Sequence, residues 1–183
     1  MNFGLPEIAA AIAGAVAAGL FQLVDRILAR RRRSEAVLVA IAAEVRSILD
    51  LIEHQRYLDE VSAQAKAIRA DTWAEHTLII DIRSNYFSVF ESLAAELGLL
   101  KPHQIRKIVA FYAFCKSTID STRPDGPHVT AFDKHDKANN IIGLEGLLLA
   151  IIHLGNEIVQ LPRQTIPPAI EDETVVAKVG TVG

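Results

Sequence analysis

In the stretch FQLVDRILARRRRSEAVLVAIAAEVRSILDLI, Phe21 to Ile52, an apolar run ends, five arginines crowd into Arg26–Arg33, and a helical pattern takes over. Apolar residues then fall at Leu38, Ile41, Val45, Ile48 and Ile52. Their alternation by three and four lines one face of an α-helix. Ser34 is a good N-cap for that helix, with Glu35 in its first turn. The series breaks over Glu53–Arg56 and resumes, displaced around the helix, at Leu58, Val61, Ala65 and Ile68. A bend or a change of packing partner is expected there. The stripe reads as the core face of a local bundle, with an intermolecular coiled-coil seam as the alternative. Fewer than four unbroken heptads favour the bundle.

Before the arginines, Ile8 to Val24 reads IAAAIAGAVAAGLFQLV, with no charge and one glutamine, after Pro6 and Glu7, which suit a helix start. At 1.5 Å per residue this run is about 25 Å long, just enough to cross a bilayer. A secretory signal would carry its positive charge before the apolar run, whereas here the charge follows it. A helix lying flat would interleave charges along one face, and this run is apolar all round until Asp25. A single span over about 5–28 is expected, with a buried alanine-rich helix as the alternative. Arg26, Arg30, Arg31, Arg32 and Arg33 form a collar at its inner membrane interface, which places the N-terminus outside and Ser34 onward in the cytoplasm. Ala10 with Gly14 and Ala15 with Gly19 stand four apart, the small-residue spacing that lets two membrane helices approach closely.

The net charge of −3 hides an asymmetry. Five of the 19 Lys and Arg and two of the 22 Asp and Glu precede Ser34, so the remainder carries 14 basic against 20 acidic residues, a charge of −6. An acidic body with one basic collar argues against nucleic acid as a partner, because such affinity grows with the number of phosphates neutralised. The single cysteine, Cys115, excludes an internal disulfide and a cysteine-cluster zinc site, and fits a reducing compartment.

Downstream, Asp71–His76 is a break, and HTLIIDIR is compatible with helix or extended chain. Asn85–Leu97 reads as helix through Phe87, Phe90, Leu93, Ala94 and Leu97, stopped by Gly98 as a C′ glycine. Pro102 opens another helix, with Ile105, Ile108, Tyr112, Cys115 and Ile119 facing the core and Val109 and Phe111 widening that face. STRPDGP, Ser121–Pro127, is a loop. The run from Ile141 to Leu161 is apolar, but Gly143, Glu145, Gly146, His153 and Glu157 interrupt it, so it reads as a buried final helix ended by Pro162. Residues from 163 onward have little to bury and read as a disordered tail.

The segment NYFSVFESLAAELGLLKPHQIRKIVAFYAFCKSTID, Asn85 to Asp120, resembles a pattern of uncharacterised bacterial single-pass helical membrane proteins. Leu97-Gly98-Leu99-Leu100, Pro102, Val109 and Phe111-Tyr112 carry the resemblance. It implies a short N-terminal span followed by a long helix, and attaches no catalytic residue.

Six histidines invite a metal hypothesis: His54, His76, His103, His128, His135 and His153. None forms HExxH, HxH or a histidine pair four apart. His153 and Glu157 can share a helix face, and Asp133, His135 and Asp136 cluster ahead of the last helix. Cys115 has no histidine three or four residues away, and no GxSxG or phosphate loop is present. Glu145 among apolar residues calls for a cation on a facing helix or exposure at an edge.

The sequence therefore predicts an all-α protein. Residues 1–33 hold the N-terminal transmembrane helix and its collar, 34–162 a cytoplasmic bundle of four to five helices, and 163–183 the tail. No catalytic residue, metal ligand or cofactor is assigned. The expected partners are the lipid bilayer and a protein partner or a second copy, at the inner membrane of a bacterium. Two other readings compete: a helical metal-dependent enzyme with a site around His135, His153 and Glu157, and a pore-forming oligomer driven by the small residues.

Overall fold

Helix α1 begins at Leu5 and runs to His54 without a break, 50 residues or about 75 Å. The computed structural model describes residues 5–73, 84–123, 126 and 133–165; within α1 the side chains of 5–13 and 15–17 lie outside the description. Ser34 is thus not an N-cap. It stands mid-helix, because arginine is a good helix former and nothing between Leu28 and Val37 breaks the backbone pattern. Burial nevertheless changes there: residues 18–33 are exposed, Ser34 and Glu35 are half-buried, and Val37 and Leu38 are buried. One helix passes from an unpacked arm into the core.

The expected break after Ile52 is a turn. α1 ends at His54, Arg56 adopts a left-handed conformation (φ 54°), and α2 (Tyr57–Arg69) follows. A second left-handed residue, Asp71 (φ 52°), lies just beyond α2. A 3-10 segment (Ser84–Phe87), a short α3 (Ser88–Leu93) and a second 3-10 segment (Ala94–Leu99) replace the single expected helix. Gly98 lies inside the second of these and adopts no left-handed conformation, so it is not a C′ stop. α4 spans Pro102–Thr122 with proline in its first turn, as the sequence indicates.

α5 is Lys134–Thr165, and it continues through Pro162, which the sequence had marked as its end. Proline there removes only one donor near a helix terminus. Among the described residues all regular structure is helical, with no strand. The HTLIIDIR run, His76 included, falls outside the described residues, as do His128 and the tail beyond 165.

α5 sits centrally, against α1, α4 and α2, while α3 and its flanking turns lie on α1. The core follows the three-and-four spacing on each element. Leu38, Ile41, Val45, Ile48 and Ile52 of α1 meet Ile141, Leu144, Leu148, Ile151 and Ile158 of α5, all buried. Ile108, Phe111, Tyr112 and Cys115 of α4 and Val61 and Ala65 of α2 complete it. Full burial of each large aliphatic or aromatic side chain is worth about 1.5–3 kcal/mol before chain entropy is counted. The α1 stripe is covered by the chain's own helices, so it is not an intermolecular seam. Val109, expected on the core face, is 46% exposed.

Two glycines are required by close approach. A Cβ on Gly155 would lie 2.8 Å from Leu49 Cδ2 and 3.0 Å from Phe111 Cε2, where α5 meets α1 and α4. A Cβ on Gly126 would lie 2.5 Å from the Asp120 carbonyl oxygen at the end of α4, so this position fits only glycine.

Candidate functional site

From Leu20 to Leu28, α1 carries its large apolar side chains in the open. Leu20, Phe21, Leu23, Val24, Ile27 and Leu28 are between 45% and 74% exposed, directly before the collar. Arg26, Arg30 and Arg32 are exposed and have no ion-pair partner among the described residues. Arg31 pairs with Glu35 at 3.1 Å on the same helix. Arg33 reaches the body: its Nε and Nη2 each donate to a Glu96 oxygen at 2.5 Å. That two-pronged contact holds the Glu96 carboxyl below its usual range. Of the small residues, Gly14 and Gly19 have open space where a Cβ would stand. The side chains of Ala10 and Ala15 lie outside the described set.

Among the described residues, one helix is long and apolar enough to cross a membrane, Lys134–Pro162 in α5. That helix is the one around which the core is built, with Ile141, Leu144, Leu148, Ile151, Ile158 and Leu161 buried against its neighbours. It also carries Glu145, whose carboxylate accepts from Arg69 Nη2 of α2 at 2.5 Å. This is the facing-helix cation that the sequence calls for, and the Arg69 hydrogen bond holds the Glu145 carboxyl below its ordinary value.

Among the described residues, His135, His153 and Glu157 are not brought together. Asp133 Oδ1 accepts from the His135 backbone N–H at 3.0 Å, a cap on α5. His153 lies 18 residues further along the same helix, about 27 Å away. Glu157 is taken up by Lys107 of α4 at 3.2 Å, with the exposed His153 imidazole at 4.0 Å. Among the described residues no group of three His, Cys, Asp or Glu side chains converges on a metal-sized site. Among the described residues the geometry offers the metal-enzyme reading no centre.

Cys115 borders an apolar cavity of about 20 Å³, with Ile48, Thr118 and Leu148 around it. That volume suits about one water molecule rather than an organic substrate. Burial pushes the thiol up to about 12, so it is neutral and unreactive at ordinary pH.

The polar centre that sequence reasoning missed is Glu44. Its carboxylate, half-buried on the flank of the α1 stripe, accepts from Val89 N (2.7 Å), Phe90 N (3.0 Å) and the Tyr112 hydroxyl (2.6 Å). It thereby caps α3, whose preceding residue Phe87 supplies no side-chain cap. Tyr112 is ringed by Phe90, stacked at 4.0 Å, and by Phe87 and Phe111, edge-on at 5.5 and 5.2 Å. A tyrosine in a core stripe needs a partner for its hydroxyl, and that requirement was the available signal. The arrangement joins three elements through one carboxylate.

The end of the collar borders a groove of about 580 Å³, lined from α1 by Ile27, Arg30, Arg31 and Glu35 and from the turn before α4 by Leu99 and Lys101. Comparison of the chain with family models, with curated proteins and with solved structures finds no match to any of them.

Proposed function

We propose that the protein is a single-pass membrane protein of the bacterial inner membrane, N-terminus outside, which presents its helical body in the cytoplasm and works by protein interaction or self-assembly. One observation carries the reading: α1 is a single helix that leaves its large apolar side chains unpacked between Leu20 and Leu28 and supplies the core from Val37 onward. Leaving six such side chains in water is unfavourable, and a bilayer is the solvent that removes the cost. Positive residues retained on the cytoplasmic side set the orientation, and the collar follows the apolar run directly. Self-assembly draws support from the open faces of Gly14 and Gly19, which would let a second arm approach closely.

The experiment is fractionation of the full chain with a topology reporter fused after Gly183. Recovery with membranes, release by detergent but not by high salt, and reporter activity only on the cytoplasmic side are expected. A full-length chain in the soluble fraction, or an exported reporter, overturns the proposal. Cysteine crosslinking of a Gly14→Cys variant in membranes tests the self-assembly part.

A further inference from the structure

The groove beside the collar combines charge from two distant parts of the chain. Arg30 and Arg31 come from α1 and Lys101 from the residue before α4. Glu35 is its one carboxylate, paired with Arg31, so three cations face one anion. Arg30 and Lys101 have no ion-pair partner among the described residues. Gln104 is 5% exposed, and its Oε1 accepts from the Lys101 N–H at 3.0 Å, which fixes the backbone from which the lysine projects. Ile27 and Leu99 give the groove an apolar wall, and the 58% exposed Ile27 continues upward into Val24, Leu23 and Leu20 of the arm.

We infer that this groove binds the headgroup of one anionic phospholipid, its phosphate against Arg30, Arg31 and Lys101 and its acyl chains along the arm. The inference rests on the membrane reading, which puts residues 27–34 at headgroup depth. It adds to a general attraction of basic residues for anionic lipid a site with a fixed third cation from the folded body. A soluble phosphate would satisfy the charges but leave Ile27 and Leu99 wet, whereas a lipid satisfies both.

The test uses the full chain in phosphatidylcholine discs with and without phosphatidylglycerol, reading lipids retained per chain by native mass spectrometry. Preferential retention of one phosphatidylglycerol is expected, reduced about fivefold in Lys101→Gln and in Arg30→Gln, on the scale of one basic contact near an anionic surface. Arg26→Gln, a collar charge outside the groove, should lower retention less than either groove variant, because it removes only the general attraction. Equal retention of both lipids, or an equal loss in Arg26→Gln and Lys101→Gln, overturns the site while the anchor reading stands, provided that the chain still fractionates with membranes. Inorganic phosphate added to the detergent-solubilised chain at constant ionic strength should not raise its melting temperature. A rise abolished by Lys101→Gln would assign the groove to a soluble anion and overturn the lipid inference.

Discussion

The Tyr112 hydroxyl on α4 donates to Glu44 Oε2 on α1 at 2.6 Å, while the same carboxylate takes two backbone N–H groups of α3. Three elements distant in sequence thus share one charged acceptor, and hydrogen bonds to a charged group are individually worth about 1.5–3 kcal/mol. Glu44→Ala is expected to lower stability by about 2–4 kcal/mol and to loosen α3 before the rest of the body unfolds. Tyr112→Phe should cost about 1–2 kcal/mol. Urea denaturation of both variants and of the double variant checks this, and a cycle that closes to zero coupling would remove the shared role.

Alkaline pH should destabilise the body in two steps. Burial first, then the Glu44 hydrogen bond, raise Tyr112 far above its ordinary value of 10.0, and burial raises Cys115 from 9.0 to about 12. For both groups the folded chain holds its proton after the unfolded chain has lost it. Their contribution is therefore complete below the unfolded values and is lost as pH rises, from about 9 for the thiol and about 10 for the phenol. Thermal melts over this range should show a falling midpoint, flattened by Cys115→Ala near pH 9–10 and by Tyr112→Phe above it.

The Arg69 and Glu145 pair gives the opposite dependence. The hydrogen bond from Arg69, with a smaller one from Ser62, lowers the carboxyl against the opposing effect of burial. Stability from this group is present above the unfolded carboxyl value and is lost as pH falls through the folded one. Arg69→Ala should cost about 0.5–1 kcal/mol at neutral pH, because solvent screens the half-exposed guanidinium. The same variant should lose less than the native chain on going to acid, which denaturant titrations at two pH values would show.

Three glycines of α5 should respond in different directions. Gly143 and Gly146 have nothing within 4 Å of a built Cβ, so alanine at either should stabilise by about 0.5–1 kcal/mol through helix propensity. Gly155→Ala must push aside Leu49 and Phe111, and overpacking of this kind costs about 1–3 kcal/mol. Melting temperatures of the three variants, moving up, up and down, decide it.

Periodicity made much of the body legible. Leu38, Ile41, Val45, Ile48 and Ile52 announced a buried face by spacing alone, as did Val61 and Ala65, and Pro102 marked the start of α4. What failed were boundaries set by one residue type. Ser34 looked like a cap because serine often is one, yet a cap forms only where the backbone leaves the helix, and arginines do not force that. Gly98 and Pro162 misled in the same way, since each is tolerated inside a helical turn when its neighbours hold the geometry. Glu44 was illegible for a different reason. Two of its three partners are backbone N–H groups, which carry no side-chain signature, and a charge flanking an apolar stripe reads as solvent-facing. The collar was plain in the sequence; that Arg33 is tied to Glu96 and that Lys101 lines one groove with Arg30 required the fold.

The absence of a joint at Ser34 has a mechanical meaning. A chain with a hinge below its membrane segment would let the body swing freely beneath the bilayer. Here the rod that would lie in lipid is also the rod on which the body is assembled, so any tilt or axial rotation imposed on residues 5–28 is delivered at the same angle to Ile52. Bilayers that differ in thickness set different tilts for a span of fixed length. The compass bearing of the body, and hence which of its faces meets a neighbour, would then be set by the lipid above it.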